Sequence, residues 1–259
     1  MKIIALVPIL LLNLFFMATY THAEITGEQA QKQIETLSQQ IDKNRTNAKL
    51  FLKRGDLYFL THDFDSAVED FSMAIKLDKS LDAAWFGRGM AQGRLGYIQE
   101  GINDLSVYIK RNPNDSRALT KRGVRYLWKG EKENALQDLK LAIKINPNNA
   151  EAHDDLGVVL AQMGDYKQAI KHFSQTILID NTYQKGYHNL AMALHVTEND
   201  IMALDNVNKS LTLNPESRDS LLLKSSILAA MGNLVEAKRI ENEAMFLPGP
   251  NWHESAPIK

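Results

Sequence analysis

Cysteine is absent from the 259 residues. The chain can therefore form no disulfide, build no thiolate metal site and offer no thiol nucleophile, and a lipid-modified cysteine is excluded too. An excess of either charge is also lacking, with 30 Lys and Arg against 31 Asp and Glu, a formal net charge of −1. That balance gives no basic surface for nucleic acid and no polybasic patch for a membrane. No Ser/His/Asp order, glycine-rich phosphate loop or other catalytic spacing stands out, so a non-enzymatic protein without a cofactor is expected. A long apolar run is missing as well. The run from Ile3 to Ala18 is interrupted by Pro8 and Asn13 and falls short of the ~20 apolar residues that a spanning helix prefers. Lys2 precedes it and Thr21-His22-Ala23 follows it, which reads as a secretory signal peptide over residues 1–23, cut after Ala23. An uncleaved anchor is the alternative. A cleaved signal implies a periplasmic or secreted protein, and a secreted chain without disulfides must hold itself by packing.

What is present is a period. In residues 150–183, Leu156, Val159, Leu160 and Met163 recur at three- and four-residue spacing before Gly164, and Tyr166, Ala169, Ile170, Phe173 and Ile177 do so after it. This predicts two amphipathic helices joined by a tight turn. One such hairpin cannot bury its apolar stripe alone. Six units of 34 residues follow one another without insertion, at 48–81, 82–115, 116–149, 150–183, 184–217 and 218–251. Their eighth positions are small (Gly55, Gly89, Gly123, Gly157, Ala191, Ser225), as are their twentieth (Ala67, Gly101, Ala135, Ala169, Ala203, Ala237). Small residues there let two helices approach closely. Large residues at the twenty-fourth position, such as Phe71, Leu105, Leu139 and Phe173, fill the space between. The fifteenth position is Gly96, Gly130, Gly164 and Gly232 in four units, but His62 and Glu198 in the first and fifth. Pro113, Pro147 and Pro215 follow second helices that they cannot continue.

This pattern resembles the tetratricopeptide repeat. The resemblance implies an all-α, right-handed solenoid and a role in protein–protein interaction. Residues 24–47 look like a half repeat that caps the first full one, because Ile34, Leu37 and Ile41 fall in register with Val68, Phe71 and Ile75, behind a Thr26/Gln29 capping box. The sixth repeat is the most degenerate, with Glu241 in a large apolar position and Leu247-Pro248-Gly249-Pro250 ending its second helix. A disordered tail is expected over 252–259. With no further polar helix visible, Leu222, Leu223 and Met231 mark a docking or homodimer face at the C-terminal end.

One concerted swap is internal to the chain. The seventh position is Arg54, Arg88 and Arg122 in the first three repeats, and the twenty-third is Asp70, Asp104 and Asp138. Where leucine takes the seventh place, at Leu156 and Leu190, His172 and Asn206 take the twenty-third. An Arg–Asp bridge between the two helices of one repeat is expected; the rival is an arginine row for an acidic ligand.

In the repeat family the first helices line a concave groove. Carried onto this chain, the groove candidates are Lys49, Lys53, Phe86, Met90, Arg94, Arg117, Lys121 and Trp128 at its basic, aromatic start, then Asp154 and Asp155, then His188 and Asn189. Such a face suits an extended peptide or a partner helix. The basic clamp by which some members hold C-terminal carboxylates is not supported, since only Arg117 and Lys121 match it while Leu52, Asp56 and Gly87 occupy its other places. His188 and His195 lie two turns apart, ~10 Å, too far to share one ion unaided, and no metal site is expected. The expected function is a cell-envelope scaffold or adaptor. The rival is an assembly factor that docks through the solenoid ends.

Overall fold

The computed structural model describes residues 26–248; the segments read as a signal peptide and a tail, 1–23 and 252–259, lie outside them. Thirteen α-helices and no strand are found among the described residues. In chain order they are α1 (Gly27–Lys43), α2 (Ala48–Leu60), α3 (Phe64–Leu77), α4 (Asp82–Arg94), α5 (Ile98–Arg111), α6 (Ser116–Lys129), α7 (Lys132–Ile145), α8 (Ala150–Gln162), α9 (Tyr166–Ile179), α10 (Gln184–Val196), α11 (Asp200–Leu213), α12 (Arg218–Ala230) and α13 (Leu234–Met245). From α2 onward they pack as antiparallel pairs, and each pair stacks on the next. The even-numbered helices also touch one another in sequence, so α2 to α12 form an inner layer and the odd-numbered helices an outer one. The architecture is an all-α solenoid of helix–turn–helix repeats.

Local chemistry starts and stops these helices. Thr26 forms a capping box with Gln29 on α1, and Asp63, Asp115, Asn149, Asp165 and Ser217 each accept a backbone N–H two or three residues into their helices. Inner helices end on a residue in the left-handed conformation. Gly96, Gly130, Gly164 and Gly232 have φ of 83–86°. His62 and Glu198 hold the same geometry without being glycine, at φ 64° and 61°. The turn keeps its shape there because the following amide still reaches back to the helix, as Asp63 N–H does to Tyr58 O and Asn199 N–H to Leu194 O, both at 2.9 Å.

Phe71, Leu105, Leu139, Phe173 and Val207 are buried between the paired helices. Beside this apolar row runs a polar one. Arg54, Arg88 and Arg122 each grip the aspartate of their own repeat with two parallel bonds: Nε to Asp70, Asp104 and Asp138 at 2.7, 2.6 and 2.7 Å, and Nη2 at 2.8, 2.9 and 2.8 Å. The bridge is thus the structural one expected, and the guanidinium planes are committed rather than free for a ligand. Nη1 of each reaches backward to a serine of the preceding outer helix, Ser38 of α1, Ser72 of α3 and Ser106 of α5, at 2.8, 3.1 and 3.0 Å. One guanidinium therefore ties two stacked units together. In the fourth repeat His172 stands in the aspartate's place, with its Nδ1 3.1 Å from Nδ1 of His153.

Candidate functional site

The inner helices line the concave face. Its N-terminal part is an aromatic channel over α2. One pocket of about 620 Å³ is bordered by Leu37 of α1, Lys53, Asp56 and Phe59 of α2, Phe64 and Arg94. A second, of about 410 Å³, is bordered by Asp56, Phe59, Phe86, Met90, Tyr108 and Arg117. Asp56 and Phe59 border both, so the two run into each other along one side of α2. Phe59 meets Phe64 edge-on at 5.3 Å, and Phe86 packs on Tyr108 at 5.1 Å. The Arg117 guanidinium lies 4.6 Å over the Phe86 ring, a cation–π arrangement at the border of the channel. Desolvation pushes the Asp56 carboxyl up to about 6. Burial, with the bond its hydroxyl donates to Asp115 at 2.8 Å, pushes Tyr108 up to about 12.

Farther along, α6, α8 and α10 carry a charge ladder. Lys121 pairs with Glu151. Lys185 lies 3.3 Å from Asp154 and 3.8 Å from Asp155. Asn189 donates to Asp154 Oδ1 at 2.9 Å. Asp154 and Asp155 are 0% and 5% exposed, whereas the Lys185 side chain is 57% exposed. Burial pushes the Asp155 carboxyl up to about 7, against the opposing pull of Lys185. Burial and the same carboxylates push the Tyr183 hydroxyl far above its ordinary range.

Of the residues singled out in the sequence, Phe86, Met90 and Arg117 meet in the second pocket, and Lys53 and Arg94 in the first. Lys49 and Trp128 are exposed and border neither. Met90, Asp154, Asp155 and Asn189 are buried, and Phe86 is half-buried rather than a free anchor. His188 is turned to Ser220 at 3.0 Å, and burial lowers its pKa. His195 lies 2.6 Å from Asp200, so the two histidines have separate partners. No group of three or more His, Asp or Glu among the described residues is arranged to hold a metal ion.

Arg125 escaped the sequence reading. It is 3% exposed, with Nη1 donating to Lys121 O at 2.8 Å and Nε and Nη2 to Gly89 O and Met90 O at 3.3 Å. It hydrogen-bonds to no carboxylate. Burial, then the nearby Arg94, brings its pKa down to about 10. Its space comes from Gly93, where a Cβ would lie 2.5 Å from Nη2, and from Gly101. Gly101 is the single glycine among the twentieth positions, and that was the available signal.

Residues 150–183 match the family model described as the tetratricopeptide repeat, and residues 123–164 match one described as the TPR repeat. No curated protein matches the sequence significantly. Solved structures share the fold. A tetratricopeptide repeat protein from Parabacteroides merdae aligns with a TM-score of 0.71 at 17% identity, over 86% of this chain and 88% of that one. YrrB, described as a TPR protein with an unusual peptide-binding site, aligns with a TM-score of 0.57 at 20% identity, over 73% and 97%. Pseudomonas aeruginosa pilF aligns with a TM-score of 0.66 at 16% identity, over 76% and 88%. Among the described residues no helix is long and apolar enough to cross a membrane.

Proposed function

We propose that this protein is a non-enzymatic scaffold of the cell envelope that holds an extended peptide or a partner helix in its concave face. Proteins built of these repeats are generally interaction scaffolds. The observation that carries the groove reading is the channel over α2. It pairs an aromatic wall of Phe59, Phe64, Phe86 and Tyr108 with charged groups at Lys53, Asp56, Arg94 and Arg117. Apolar anchors with charges at their rim give a peptide both affinity and direction. The envelope address rests on the signal-like segment 1–23, and N-terminal sequencing of the protein recovered from cells tests it: a start at Glu24 is expected.

The function is tested by crosslinking capture from its own cells with the wild-type protein and with Phe59→Ala/Arg117→Glu. Arg117 is the better choice for charge reversal than Lys121, which is tied to Glu151. A partner captured by wild type and lost from the variant is expected. Equal capture by both places binding away from this channel.

A second reading, docking through the C-terminal end, rests on exposed apolar side chains there: Leu234 at 66%, Val235 at 87% and Phe246 at 90%. Its occupant is a second copy or another envelope protein. Val235→Asp tests it, with oligomeric state and partner capture as readouts; Leu223 is a poor choice because it packs against a core cluster.

A further inference from the structure

Two adjacent carboxylates on α8 are buried at the concave face, and the groove offers them one cation. Asp154 and Asp155 are 0% and 5% exposed. The Oδ2 atoms of both are buried and accept no hydrogen bond. Asp154 Oδ1 takes the amide of Asn189 at 2.9 Å, leaving its Oδ2 with the ion-pair approach of Lys185 Nζ at 3.3 Å. Asp155 Oδ1 has the same ammonium at the longer 3.8 Å. Lys121, one repeat back, is paired with Glu151 and acts on Asp155 only from a distance, as the last and weakest of the influences there.

A buried carboxylate without a full set of donors is costly unless something completes it. If the pair had evolved only to brace α8 against α10, a well-buried cation would face it. Instead the Lys185 side chain is 57% exposed and holds the two oxygens at 3.3 and 3.8 Å, a loose cover over a tight anionic pair. A long lysine on the solvent side can give way as an incoming cation takes its place, so that the buried carboxylates are never left without one. A guanidinium supplies what the ammonium does not, namely several donors in a planar fork that can serve neighbouring carboxylates together.

We propose that Asp154 and Asp155 receive one basic side chain, arginine or lysine, of the bound peptide, and that Lys185 is the resident cation this side chain displaces. The inference rests on the groove reading above and adds the chemistry of one partner residue and its place, about two repeats from the aromatic channel. Bound there, a peptide would present apolar residues to α2 and α4 and a basic residue to α8.

The test uses the purified full-length protein and fluorescein-labelled octapeptide pools, each with one fixed residue: arginine, lysine, citrulline or alanine. Fluorescence anisotropy is read for wild type, Asp155→Asn and Lys185→Met. Wild type should bind the arginine pools about tenfold more tightly than the citrulline pools, which match arginine in shape but lack its charge. Asp155→Asn should bring that ratio near one. Lys185→Met should raise it, because the competing cation is gone. Should Asp155→Asn fail to fold, Lys185→Met carries the test by itself. Binding of all pools with an arginine-to-citrulline ratio near one overturns the inference and leaves the groove reading standing. A ratio that falls in Lys185→Met overturns it as well, showing the lysine to be part of the site and not its cover. Absence of binding by every pool sinks the groove reading, and this inference with it.

Discussion

Replacing Arg88 by leucine should unfold more of this protein than the loss of one surface charge would suggest. Arg88 holds Asp104 through Nε at 2.6 Å and Nη2 at 2.9 Å, with side-chain exposures of 20% and 7%. Removing one partner of a buried pair costs about 3–5 kcal/mol, because the other charge is left behind. The arginine's partial exposure puts this pair toward the lower end. The lost bond from Nη1 to Ser72 at 3.1 Å adds about 1 kcal/mol. The guanidinium also lies 5.2 Å over Trp85, worth roughly 0.5–1 kcal/mol. Arg88→Leu should therefore lose about 4.5–5 kcal/mol. The decisive variant is Arg88→Leu/Asp104→Asn, which installs the combination the fifth repeat carries naturally as Leu190 and Asn206. With no buried charge left and only the Ser72 bond and the Trp85 contact missing, it should return to within about 2 kcal/mol of wild type. Urea unfolding followed by circular dichroism measures both, and hydrogen exchange in α4 and α5 reports where the loss falls, since repeats couple mainly to their neighbours. The reasoning is refuted if Arg88→Leu costs under about 1 kcal/mol, or if the double variant is no more stable than the single one.

Three further outcomes are expected. Glu198→Gly should stabilise by roughly 1 kcal/mol, since Glu198 sits at φ 61° where side chains carry a penalty; an unchanged or lower urea midpoint counts against this. Gly157→Ala should destabilise by about 1–3 kcal/mol, because its new Cβ would lie 2.5 Å from Phe173 Cε1 in a buried contact; calorimetry reads the loss. Stability should fall on acidification through the His153–His172 pair. Burial, then the proximity of His153, Lys171 and Lys140, lowers the His172 pKa from 6.5 to about 4, and burial lowers that of His153. The unfolded chain then binds the proton more tightly, so this contribution is complete above pH 6.5 and is lost as pH falls toward 4. After allowance for partial exposure the loss at pH 5 is about 1 kcal/mol. The raised carboxyls of Asp56 and Asp155 act in the opposite sense, so the signal is the difference in pH slope between wild type and His172→Asn. Equal slopes would show that the pair does not titrate with folding.

Much of this architecture was legible because a repeat states its rules six times. Small residues at the eighth and twentieth positions, and large ones at the twenty-fourth, needed no coordinates to be read as two helices in close contact. The Arg–Asp bridge was legible for the same reason: arginine and aspartate appear together and vanish together. Ser38, Ser72 and Ser106 carry a weaker signal: Lys140 breaks the register before the fourth repeat, but Ser174 restores it before the fifth, where Leu190 stands in the arginine's place. The turn at His62 and Glu198 shows the limit of residue type as evidence. Glycine prefers the left-handed region, yet the backbone bonds that close the turn hold other residues there.

Periodicity along the chain determined the helices, their pairing and the face each pair buries, because those are set by spacings within about one repeat. The groove-facing positions came from the resemblance to the repeat family, and neither it nor the period said how far each side chain lies from water. Asp154 and Asp155 read as groove charges and are buried, while Lys185 above them is open to solvent. Arg125 carried no mark in the sequence and is enclosed through the absence of a Cβ at Gly93 and of a larger residue at Gly101. Burial at a given position depends on side chains one and two repeats away and on the curvature that stacks them. Only the tertiary structure brings these together, and there charge, desolvation and access to a ligand are decided.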